Sequence, residues 1–269
     1  MFSSLDVKKI VLSLTSSAEA SDPCVVQGSA AGKYASQVHK SSCASYILTF
    51  TKILIDNGHG IQTKGKRSPD GTLLEYAYTR DLARQIVAIL KARGYDSELL
   101  VPEDDDIPLS ERVRRVNEIC LTYEPSCPSH RHGRLRPAIY SSSPAPIGDL
   151  MPNVILISLH LNAAGDGAKW MNATGWSCYT CKGQTESDIL AACLYEAAIK
   201  NFPGKRIRTD YSDNDPDWEE NFFMDSLSDV RYLRSEAGKQ AIVDTHLEGI
   251  TDFLKRISSD HHLRNSPTI

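Results

Sequence analysis

The sequence predicts an α/β fold built on a mainly parallel sheet. Two patterns point to it: short apolar runs of strand length that stop at turn residues or histidine, and between them longer stretches whose apolar residues recur at helical spacing. The third observation is bulk. A chain of 269 residues with 41% hydrophobic content can bury a substantial core, and one catalytic-sized domain is the reading adopted.

Residues 1–50 are rich in Ser and Ala and sustain neither a helical nor a strand period, so they read as a leader or disordered segment outside the fold. Lys8-Lys9, the apolar run Ile10 to Leu14 and Ala18-Glu19-Ala20 follow the order of a secretory signal, though the apolar run is short and Asp6 precedes the lysines. The domain spans 51–257. Lys52 to Asp56 is a short, mostly apolar run ended by Asn57-Gly58, as in a buried parallel strand. Glu75 to Arg93 places Tyr78, Leu82, Ile86, Ile89 and Leu90 on one stripe and stops at Gly94, the mark of an amphipathic helix.

Ser97 to Val101 is a second strand, and Pro108-Leu109-Ser110-Glu111 opens a helix to about Leu121 with Val113, Val116 and Ile119 inward. Residues 122–152 change to Pro, Ser, His and Arg, too little apolar content to pack, and read as a surface insertion whose His130 and His132 are solvated. Val154 to His160 is the most apolar strand, and Gly175 to Tyr179 is expected to be another. Helices are expected over Ser187 to Asn201, capped by Ser187 or Thr185, and from about Asp229 to Arg256 with a break at Gly238; 258–269 is a polar tail.

A net charge of -4 gives no bulk electrostatic attraction to nucleic acid or to an anionic membrane. No stretch has the length of a membrane span. Seven cysteines without regular spacing argue against a disulfide framework, and Cys178-Tyr179-Thr180-Cys181, a single CxxC within a strand-like run, is assigned no metal.

His59 and His160 both follow apolar strands, where ligands gather in open α/β sheets, and Glu75 heads a helix. Two imidazoles and one carboxylate form a donor set that leaves zinc an open position for chemistry, which points to a hydrolase. Each residue has a plainer reading: His59 as a turn residue, His160 as a satisfied core histidine, Glu75 as an acidic group favouring the positive end of its helix. Asn162, two residues past His160, shares its strand face and is either a substrate contact or a plain turn residue. Arg112, Arg114 and Arg115 read as a solvated helix face or as ion pairs, and Arg206 and Arg208 are candidates to meet carboxylates.

Taken in order, Asp56-Asn57-Gly58-His59-Gly60, the helix start at Glu75, Ile107-Pro108-Leu109-Ser110-Glu111-Arg112 with Asn117, Ser158-Leu159-His160-Leu161-Asn162-Ala163 and Glu220-Asn221-Phe222-Phe223-Met224-Asp225 resemble zinc-dependent N-acetylmuramoyl-L-alanine amidases of the Amidase_3 type. The resemblance covers about Lys52 to Arg256 apart from the insertion. It implies a mixed, mostly parallel sheet between helices in a single domain, zinc as cofactor held by His59, Glu75 and His160, and Glu220 as general base and acid. It also implies a substrate, the amide bond between N-acetylmuramic acid and L-alanine in bacterial peptidoglycan or muropeptides, and a place in the cell envelope or outside the cell; the sequence does not identify whether an activator protein is a further partner.

One segment departs from that pattern. In the family the catalytic glutamate ends an apolar strand, whereas Asp213-Asn214-Asp215-Pro216-Asp217-Trp218-Glu219 is acidic and broken by proline, unfit for a central strand. The leader, the insertion and Ile207 to Tyr211 are the segments available to replace that strand, and Glu219 competes with Glu220 for the basic role. Two further functions stay open: a zinc- and peptidoglycan-binding protein impaired in catalysis, and a zinc peptidase.

Overall fold

The computed structural model describes residues 9–12, 51–123, 153–180, 186–208 and 221–264. Four strands, β1 (Lys9–Leu12), β2 (Thr51–Asn57), β3 (Asp96–Leu99) and β4 (Asn153–Leu159), form one sheet in the order β1-β4-β2-β3. All of these strand pairs are parallel, so antiparallel pairing among the described residues is confined to the isolated bridges Arg67–Leu74 and Trp176–Asn221. Five helices accompany the sheet: α1 (Glu75–Ala92), α2 (Leu109–Thr122), α3 (Glu186–Asn201), α4 (Leu227–Leu233) and α5 (Glu236–Arg264).

Side chains alternate across a strand, and here each side meets its own apolar layer. Ile53, Ile55, Ile155, Ile157 and Leu159 join Tyr78, Leu82, Ile86 and Leu90 of α1, Leu190 and Leu194 of α3, and Ile242, Val243 and Ile250 of α5 in the main core. Leu54 and Val154 point the other way, to Leu100, Val101, Val116 and Cys120. Each fully buried Leu or Ile contributes about 1.5–3 kcal/mol through removal of its side chain from water, so the α1 stripe is a major anchor of the sheet.

Several elements differ from expectation. Lys9–Leu12, inside the stretch read as a leader, pair in parallel with β4 at the edge of the sheet. On α2 the buried positions are Arg112, Val116 and Cys120, while Val113 is exposed, so the helix is rotated to place an arginine inward. Gly175 to Tyr179 forms no strand: Trp176 makes single bridges to Ile207 and Asn221 and is wholly buried between them. The last helical stretch divides at Arg234–Ser235 rather than at Gly238, because the Ser235 hydroxyl accepts the Gly238 N–H at 3.0 Å and starts a new helix. That helix runs to Arg264, into the stretch read as a tail. Ser187 lies within the first turn of α3, not before it. His130, His132, Cys181, Thr185, the segment 213–219 and the body of the insertion lie outside the described residues.

Candidate metal centre

Strand β2 delivers its chain to the site through Asn57, and Gly58 N–H donates to the Leu159 carbonyl at 2.9 Å, prolonging the pairing with β4 by one residue. The backbone then reverses at His59, whose φ of 61° lies in the left-handed region, a conformation costing of order 1–3 kcal/mol in a non-glycine residue. Both neighbours have to be glycine. A Cβ on Gly58 would stand 2.4 Å from the His160 ring, and one on Gly60 would stand 2.1 Å from the Asp106 backbone nitrogen.

The loop that crowds Gly60 is itself fastened. The Thr63 hydroxyl accepts the Gly60 N–H at 3.0 Å and bonds the Asp106 carboxylate, while Gln62 Oε1 accepts the Asp106 N–H at 3.0 Å. From α1, Arg80 donates to the carbonyls of Glu103 at 2.9 Å and Asp105 at 3.2 Å. His59 is therefore held by packing on two sides.

Glu75 opens α1 with its side chain turned away from the first-turn amides and fully buried. Its Oε1 accepts the Leu161 N–H at 2.9 Å and lies 3.2 Å from His160 Nδ1, and its Oε2 lies 3.5 Å from His59 Nε2. Among the described residues Oε2 has no hydrogen-bond partner, an orphaned anionic oxygen facing two imidazoles. The two rings meet edge to face with centroids 5.0 Å apart. One ligand-type atom from each of His59, Glu75 and His160 lies within 4.8 Å of the others, a set that could hold a metal ion.

The electrostatics suit a cation. Burial lowers the His59 pKa from 6.5 to about 4, against the pull of the Glu75 carboxylate, so its ring is neutral and its lone pair available near neutrality. Burial alone would raise Glu75, but the hydrogen bond and charge of His160, the charge of His59 and the Leu161 N–H outweigh it and hold the carboxyl below its ordinary range. A neutral His59 ring beside an ionised Glu75 carboxylate is the state in which such ligands bind zinc.

The remaining candidates separate. Asn162 joins the segment after Glu220 through its backbone, its N–H donating to the Phe222 carbonyl at 2.9 Å and its carbonyl accepting the Met224 N–H at 2.7 Å. Arg208 is half-buried with its guanidinium 5.3 Å from the Phe223 ring centroid, whereas Arg206 is exposed. Glu219 and Glu220 lie outside the described residues, but Asn221 is fixed, fully buried and accepting a hydrogen bond from the Trp176 indole. Arg112 is buried against Asp56, unlike Arg114, which pairs in solvent with Glu111 and Glu118. Sequence patterns pass over Asp229, which accepts the N–H groups of Gly175 at 3.0 Å and Phe223 at 3.1 Å and so ties the 175 and 223 segments together. Its acidic side chain in the first turn of a short helix is the ordinary signature of helix-dipole stabilisation, which hides that role.

A family model described as N-acetylmuramoyl-L-alanine amidase, Amidase_3, matches residues 53–252. Among solved structures, the amidase Ami1 of Mycobacterium smegmatis aligns at a TM-score of 0.53 and 15% identity, covering 78% of this chain and 99% of its own. An N-acetylmuramoyl-L-alanine amidase of Clostridium difficile 630 aligns at 0.52 and 19%, covering 77% and 97%. The catalytic domain of the amidase CwlV of Bacillus (Paenibacillus) polymyxa var. colistinus aligns at 0.51 and 15%, covering 76% and 98%. At these identities the likeness is one of fold. No curated protein sequence matches the chain.

Proposed function

The chain belongs to the Amidase_3 family of N-acetylmuramoyl-L-alanine amidases, and on that premise we propose that it hydrolyses, with zinc, the amide bond joining N-acetylmuramic acid to L-alanine in peptidoglycan. The observation that carries this reading is the convergence of His59, Glu75 and His160, with a buried carboxylate oxygen left without a hydrogen-bond partner among the described residues. Two imidazoles and a carboxylate fit zinc in donor type.

His59, Glu75 and His160 hold the ion in this reading, and Leu161 N–H orients the Glu75 carboxylate toward it. Bound zinc supplies polarisation of the scissile carbonyl and a lowered pKa for water. Glu220 accepts the proton of the attacking water and returns it to the departing amine nitrogen, the acid–base work that an amide leaving group requires. The substrate places the protein in the cell envelope or outside the cell. No helix among the described residues is long and apolar enough to cross a membrane.

Incubating the zinc-loaded chain with peptidoglycan tests the proposal. Release of stem peptides with a new L-alanine amino terminus supports it; a folded, zinc-bound protein that yields none rules out the amidase. A second reading draws on the acidic, proline-broken run before Glu220: a protein that holds zinc and binds the wall without turnover. Co-sedimentation with insoluble peptidoglycan in the absence of product identifies that case.

A further inference from the structure

We propose that Arg112 is a positioning residue for the metal centre, clamping the ends of β2 and β4 so that His59 and His160 face Glu75. The inference rests on those three residues being the metal ligands. Parallel register sets Asp56 opposite Ser158, and the Ser158 hydroxyl donates to Asp56 Oδ2 at 2.7 Å. Arg112 Nη1 donates to Asp56 Oδ1 and, at 2.8 Å, to the Asn57 carbonyl, while its Nε donates to the Ile107 carbonyl at 2.9 Å. Three segments thus meet at one guanidinium: the end of β2, the end of β4 through Asp56 and Ser158, and the entry to α2.

The position of this clamp gives it a bearing on the site. Asn57 is two residues before His59, and Ser158 is two residues before His160. His59 occupies a left-handed conformation, and such strain persists only where the surroundings over-determine it. Fastenings of that turn include the Gly58 N–H on Leu159, the Gly60 N–H on Thr63, the Thr63 N–H on the Gly60 carbonyl, the Thr79 hydroxyl on the Gly58 carbonyl at 3.3 Å, and Arg112 on the Asn57 carbonyl. Of these, only the last is charged, and through Asp56 and Ser158 it also reaches the end of β4. Asp56 and Arg112 are both buried, and each answers the other's charge. A lysine would keep the charge but lose the planar fork that serves Asp56, Asn57 and Ile107 together.

The full-length chain and its Arg112→Lys, Arg112→Met and Ser158→Ala variants provide the test. Zinc affinity is read by competition with a chromophoric chelator, ligand geometry by the visible spectrum of the cobalt-substituted protein, and folding by thermal melting of the metal-free form. Arg112→Lys is expected to melt cooperatively yet bind zinc at least about tenfold more weakly with an altered cobalt spectrum, the scale of effect typical of outer supports of metal ligands. Ser158→Ala, which removes one hydrogen bond and no charge, should shift both readouts a few-fold in the same direction. If both variants keep zinc affinity within twofold and an unchanged cobalt spectrum, Arg112 serves stability alone and the positioning role is overturned, even where Arg112→Met fails to fold. If the wild-type chain binds neither metal, the ligand assignment fails and the positioning role falls with it.

Discussion

His59 and His160 leave the ends of adjacent parallel strands, yet the chain holds them by different means. His160 follows β4 with its register fixed by seven paired positions, from Thr51↔Asn153 to Asn57↔Leu159, so the ladder itself places it. His59 itself takes a φ of 61°, between two glycines at which any Cβ would collide with neighbouring atoms. A straight strand end positions a ligand by hydrogen bonding alone. A turned one needs missing side chains and outside fastenings, so the His59 turn is the more vulnerable half of the site.

The sharpest way to break this contrast is to add a methyl group on each side of His59. Gly60→Ala meets backbone at 2.1 Å, which cannot move without displacing the 105–106 loop, and is expected to destabilise by about 3 kcal/mol or more and to abolish metal binding. Gly58→Ala meets the His160 ring first, a side chain rather than backbone, so metal binding should be lost with a much smaller fall in melting temperature. Equal melting temperatures for the two variants would contradict the distinction.

Next in size is the separation of metal from catalysis. Glu220→Gln should retain zinc at wild-type stoichiometry while the rate of stem-peptide release falls by about 10²–10⁴, the usual contribution of a general acid–base group. An unchanged rate would transfer the role elsewhere, with Glu219 the first residue to examine.

A third histidine extends the comparison to one buried without a polar site. His246 of α5 is fully buried, its Nδ1 lies 2.8 Å from the Ile242 carbonyl, and Nε2 has no partner among the described residues. Burial lowers its pKa from 6.5 to about 4. The unfolded chain therefore takes up the proton first. The contribution is complete above pH 6.5 and is lost as pH falls toward 4, in total roughly 3 kcal/mol. Denaturant unfolding of the metal-free protein should show that decline, and His246→Leu should make it shallower; an identical slope in the variant would exclude His246 as its source.

The smallest effect is expected at Arg114, two residues along α2 from the clamp. Its pairs with Glu111 and Glu118 are exposed and screened by solvent, so Arg114→Ala should leave the melting temperature nearly unchanged and zinc affinity untouched. A loss of zinc affinity comparable to that of Arg112→Lys would show that charge on α2, rather than the buried contact, is what matters.

Much of the fold could be read from local pattern. The α1 stripe of Tyr78, Leu82, Ile86 and Leu90 is buried as its period requires, and the apolar runs at 52–56 and 154–160 became β2 and β4 within a residue or two. Failures came where a few long-range contacts outweighed local preference. Trp176 lies in a strand-like run, yet its indole is paired with Asn221 and its backbone with Ile207, so the run contributes bridges instead of a strand. Val113 and Arg112 exchanged their expected places because Asp56, distant in sequence, offered a buried partner to the arginine.

Residue types and order marked His59 and His160 as candidate ligands, because imidazoles where apolar runs stop suit coordination chemistry, and the family resemblance added Glu75 to them. The sequence alone also determined the glycines that flank His59. Tertiary structure decided that the Glu75 carboxylate turns from its own helix to the two histidines, that Lys9–Leu12 lie beside β4, and that Arg112 joins the strand ends. Those outcomes depend on groups far apart in the chain meeting in a buried place, where an unpaired charge is costly and a pairing is strongly favoured. No local pattern encodes that energy.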